Sequence, residues 1–98
     1  MPAFVVLGNF TEQGIRKIKT LGPEIRAAAE QWVQAKGGRV IANYTTLGLY
    51  DFVFVTELPS DEVALEGAFT FGSQGDVRTV TLRAFSPEEA EAVAARLP

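Results

Sequence analysis

The sequence predicts an α+β domain in which helices cover one face of a four-stranded antiparallel sheet. Three observations predict it. Four short runs have strand character: Ala3 to Phe10, Arg39 to Leu47, Tyr50 to Leu58 and Asp76 to Phe85. Apolar stripes at helical spacing fill the long gaps after the first and third runs. Glycine and proline punctuate nearly every boundary between them. The resulting order is β-α-β-β-α-β plus one further helix, the ferredoxin-like pattern. With 98 residues the chain has room for a single core, so residues 1–98 form one domain.

Each element has its own warrant. Ala3 to Phe10 is almost entirely apolar, with Val5, Val6 and Leu7 at its centre, as expected of a strand covered on both faces. Thr11 is placed to cap a short helix that carries Ile15 and Ile18 on one side and runs to about Thr20. Pro23 cannot continue a helix but suits a first turn, so a kink and a second helix from Pro23 to Lys36 are expected. Ile25, Ala28, Ala29, Trp32 and Val33 form the inward stripe of that helix, and Gly37-Gly38 ends it. Trp32 reads as a core anchor.

Arg39 to Leu47 and Tyr50 to Leu58 are rich in β-branched and aromatic residues, and they pair as a hairpin around Gly48. Ser60-Asp61 opens a helix to about Phe71, with Val63, Ala64, Ala68 and Phe71 inward. Gly72 and Gly75 bracket a turn before the last strand. Ser86-Pro87-Glu88-Glu89 then begins the final helix: Ser86 as N-cap, Pro87 in the first turn, and Glu89 to close a capping box.

Composition narrows the chemistry. Hydrophobic residues make up 47% of the chain and charged residues 21%, a balance that folds. Nine basic against twelve acidic side chains leave a net charge of −3, which argues against a nucleic-acid partner. Cysteine and histidine are absent. That excludes a thiol nucleophile, a disulfide, a histidine base, and a zinc or haem site built from those residues. No EF-hand spacing is present, so no metal or cofactor is expected. No signal peptide and no membrane span is legible, and a cytoplasmic location is expected.

Both parities of the strands are apolar. Val5 and Leu7 oppose Phe4, Val6 and Phe10, and Phe52 and Phe54 oppose Val53 and Val55. Helices cover one face only. The other would leave a broad apolar patch, which a second copy of the same sheet can bury. A homodimer or higher homo-oligomer is therefore expected.

Three segments resemble one known family. They are Asn9-Phe10-Thr11-Glu12-Gln13-Gly14-Ile15, Tyr44-Thr45-Thr46-Leu47-Gly48-Leu49-Tyr50-Asp51, and the stretch from Phe71-Gly72-Ser73-Gln74-Gly75 through Asp76-Val77-Arg78 to Phe85. Together they are similar to the GYD domain family, over essentially the whole chain. One departure is that Leu49 separates Gly48 from Tyr50, giving Gly-x-Tyr-Asp. The resemblance implies a mostly bacterial protein of the dimeric α/β-barrel group. It implies no particular reaction.

Candidate site residues follow from polarity within apolar runs. Tyr50-Asp51 starts a strand just after a turn: the pair can hold a polar ligand or move a proton, or Asp51 can simply accept turn amides. Arg78 lies among Val80, Leu82 and Ala84 and needs an acid such as Asp51 or Asp76, a bound anion, or solvent. Asn9, Asn43, Tyr44 and Thr79 line a pocket if they converge, or hydrogen-bond at strand ends. Gly72 to Gly75 lacks the lysine of a phosphate loop and reads as a turn. Arg16, Lys17 and Lys19 read as a solvated face. The function these residues imply is small-molecule binding in a pocket at the sheet. A cofactor-independent enzyme of the same barrel type and a plain oligomerisation module are the alternatives.

Overall fold

A computed structural model describes residues 1–98. The elements are β1 (Ala3–Phe10), α1 (Glu12–Ile15), α2 (Ile18–Ala35), β2 (Arg39–Thr45), β3 (Phe52–Glu57), α3 (Asp61–Gly72), β4 (Val77–Ala84) and α4 (Pro87–Ala94). The strands form one sheet in the order β2-β3-β1-β4, antiparallel throughout. This is the ferredoxin-like arrangement: α2 and α3 lie on one face and the outer strands are β2 and β4.

Strand register decides which side chains meet the helices. Phe4, Val6 and Gly8 pair with Thr56, Phe54 and Phe52 and with Arg83, Thr81 and Thr79. These residues form the helix side, because successive residues of a strand point to opposite faces. The core sits there: Phe4, Val33, Leu58 and Ala64 are buried together, flanked by Trp32, Val40, Phe54 and Val63. Each large apolar side chain buried this way contributes about 1.5–3 kcal/mol. Trp32 meets Phe71 edge-on at 6.1 Å, tying α2 to α3. Gly67 permits this approach, since a Cβ there would lie 3.0 Å from the indole.

The first helical segment departs from the sequence reading. The break falls at Arg16-Lys17, and Pro23 sits inside a continuous α2. The Lys19 carbonyl loses its amide partner to Pro23. Lys19 is exposed, so water can replace that partner, while Leu21 and Val33 are buried and hold both halves of α2 down. Ala28, expected inward, is exposed. The hairpin strands are shorter than expected, because Thr46 to Asp51 form a six-residue connection. Gly48 takes φ +106° within it, a conformation that side chains other than glycine rarely adopt.

Two features leave apolar surface open. The sheet face away from α2 and α3 carries Val5, Leu7, Val53, Val55, Val80 and Leu82, of which Val80 and Leu82 are exposed and the other four half-buried. The last helix is also free. Its capping box forms as expected, with the Ser86 amide donating to Glu89 and the Glu89 amide donating to Ser86 Oγ. Yet no residue of α4 is buried. The radius of gyration is 14.7 Å, against about 13 Å for a compact chain of this length, consistent with a projecting helix.

Candidate functional site

The richest polar structure gathers where β1 ends and the β2–β3 connection passes. The Asp51 amide donates to the Gly8 carbonyl at 2.8 Å, and the Phe10 amide donates to Asp51 Oδ2 at 2.9 Å. Asp51 thus satisfies a strand amide that no neighbouring strand reaches. Its carbonyl accepts from the Thr46 amide, and the Thr46 hydroxyl donates to the Tyr50 carbonyl at 2.6 Å. The Asn9 side-chain amide donates to the Leu49 carbonyl at 2.9 Å. These bonds hold the connection in one shape and lift Leu47 and Leu49 off the surface, where they are 101% and 89% exposed.

A second network locks the start of β4 to α1. Thr11 accepts from the Gly14 amide and donates its hydroxyl to the Gly75 carbonyl. The Asp76 carboxylate accepts from Gln13 at 2.8 Å and pairs with Lys17 at 3.0 Å. The Gln13 and Lys17 hydrogen bonds hold the Asp76 carboxyl below its ordinary value.

Between α2 and β2–β3 runs a groove of about 380 Å³. Phe10, Phe52, Phe54 and Ile25 make its apolar surface, and Arg26, Asn43, Thr45, Thr46 and Asp51 bring polar groups to it. A narrower apolar cleft of about 100 Å³ continues beneath α2 and α3, against Phe4, Trp32, Phe71 and Thr79. Gly8 gives the Phe52 ring its place: a Cβ there would lie 2.0 Å from the ring.

The seven residues singled out from sequence fall in four places. Asn43 and Asp51 line the groove, and Thr79 lines the cleft. Tyr44, Arg78 and Asn9 have the register of Val53, Val80 and Leu7, which places them on the open sheet face. Tyr50 is half-buried in the connection and lines neither cavity. The acid expected for Arg78 is engaged elsewhere: Asp76 belongs to Lys17 and Gln13, Asp51 to Phe10, and Arg78 is exposed with no ion pair. Sequence reading missed Arg26, Thr45 and Thr46. Ile18, Gly22, Arg26 and Ala29 recur at helical spacing, which was the available signal for Arg26.

The family model described as GYD domain matches residues 4–94. The chain belongs to the GYD domain family. A curated relative from Thermus thermophilus is 33% identical over 84 residues, covering 86% of this chain and 88% of the relative. That relative is named a glutamine synthetase and cystathionine beta-lyase binding protein. No solved structure matches. No group of carboxylates stands close enough to hold a metal ion, and no helix is long and apolar enough to cross a membrane.

Proposed function

We propose that this GYD domain is a self-associating module that binds other proteins. The observation that carries the reading is the uncovered apolar sheet face. Val5, Leu7, Val53, Val55, Val80 and Leu82 form a continuous patch, and two such faces meeting about a two-fold axis bury each other. Burial of apolar area is the main driving force of such association. A partner protein then meets the β2–β3 connection. Leu47 and Leu49 stand out there on a hydrogen-bonded loop, which presents them without a large ordering cost.

The relative's name points to enzymes as partners. Purified protein mixed with glutamine synthetase, and separately with cystathionine beta-lyase, tests this by size-exclusion chromatography. Co-elution with either enzyme, lost in a Leu47→Ser/Leu49→Ser variant, is the expected result. Elution apart from both enzymes at tens of micromolar counts against the reading.

A second reading is favoured by the groove. It lies on the helix side of the sheet, so association through the open face leaves it accessible, and it pairs an apolar floor with convergent polar groups. Under this reading the module also takes a small molecule. The enzyme alternative has less support: Asp51 Oδ2 is occupied by the Phe10 amide, and Tyr44 lies on the far side of the sheet.

A further inference from the structure

The groove is lined by two opposite charges that no ion pair within the chain engages. Arg26 lines it from α2, is exposed, and enters no ion pair. Asp51 lines it from the sheet side. Its Oδ2 accepts from Phe10, and Oδ1 has no partner within the chain. The two do not pair with each other, so a gap separates them. Asn43 and Thr45 also face this space with side chains that make no hydrogen bond in the chain. Phe52, Phe54 and Ile25 offer apolar surface beside them.

This pattern selects a ligand by elimination. A simple anion satisfies Arg26 but faces the Asp51 carboxylate. A simple cation satisfies Asp51 but faces the guanidinium. An uncharged apolar molecule leaves both charges as they were. A ligand with a carboxylate, an ammonium and an apolar body meets all three parts of the groove. The volume of about 380 Å³ falls in the lower part of the roughly 300–1,000 Å³ span of small-molecule sites. We propose that the groove binds the zwitterion of an apolar α-amino acid. Arg26 takes the carboxylate, Asp51 takes the ammonium, and the side chain lies on Phe52 and Phe54. This rests on the small-molecule reading above.

The test uses the full chain, labelled with ¹⁵N, and three probes of one shape. They are L-leucine, 4-methylpentanoate (leucine without its amino group) and 3-methylbutylamine (leucine without its carboxylate). Saturable shifts of the Arg26, Thr45 and Phe54 amides with leucine are expected, with both truncated probes binding about tenfold weaker or worse. Arg26→Gln, at an exposed position without an ion pair, is expected to leave the thermal melt unaltered and to weaken leucine binding by about tenfold or more. If 4-methylpentanoate binds as tightly as leucine, the zwitterion assignment is overturned while the small-molecule reading stands. If leucine binding survives Arg26→Gln intact, the assigned pose is wrong. If no probe moves the groove amides, the amino-acid assignment is overturned, and the small-molecule reading is left only with ligands of another class.

Discussion

The carboxylate of Asp51 accepts the backbone amide of Phe10 at 2.9 Å, across 41 residues of sequence. This one bond ties the β2–β3 connection to the end of β1 and sets one wall of the groove. The aspartate of the Gly-x-Tyr-Asp segment therefore has a structural task before any ligand arrives. Asp51→Ala leaves a half-buried amide without its acceptor, so a loss of about 1–3 kcal/mol is expected. Asp51→Asn keeps an acceptor oxygen and is expected to lose less than about 1 kcal/mol. Chemical denaturation of the two variants separates these values.

Gly14 is fixed by a backbone contact. A Cβ there would stand 2.2 Å from the Asp76 carbonyl oxygen, which already accepts the Thr11 amide. No side chain can rotate away to make room. Gly14→Ala is expected to destabilise the fold by about 3 kcal/mol, because backbone must shift. Gly72→Ala, with nothing near its added Cβ, is the control and is expected to be close to neutral.

Asp76 gives the protein an acid-sensitive joint. Hydrogen bonds from Gln13 and Lys17 favour its charged form, so its folded pKa lies below the ordinary 3.8. A carboxylate lowered on folding stabilises fully above its unfolded value, and that stabilisation is lost as pH falls through its folded value. The melting temperature is expected to drop between about pH 5 and about pH 2, and Asp76→Asn is expected to flatten that limb. An unchanged acid limb in the variant would assign the loss to other carboxylates.

Much of this architecture was legible because local signals agreed with one another. Ser86, Pro87 and Glu89 announced a helix start, and the capping box formed at those residues. Val63, Ala64, Ala68 and Phe71 face inward on α3 as their spacing implied. Pro23 misled because burial of Leu21 and Val33 outweighs one lost hydrogen bond, a balance that tertiary packing decides. The site was harder to read. Alternation separates Asn43 from Tyr44, but it does not tell which of the two parities the helices cover. Arg78 faces the side the helices leave open, whereas Arg26, on a helix outside the strand runs, lines the groove.

The last helix is predicted to be dispensable for the core. Since no residue of α4 is buried, deleting residues 87–98 is expected to cost the dilute, isolated chain less than about 1 kcal/mol. Urea melts at low concentration measure this. A much larger loss would mean that α4 supports the core of its own chain.

The measurement that bears most directly on the account is the mass of the native particle. Native mass spectrometry at micromolar concentration, on the wild type and on Val80→Asp, supplies it. The apolar sheet face predicts a wild-type particle of twice the 10.6 kDa chain mass, or an even multiple of it. It also predicts that the variant, with a charge buried in that face, falls to the monomer. A wild-type monomer, or an oligomer that Val80→Asp leaves intact, would contradict closure of the sheet by a second copy.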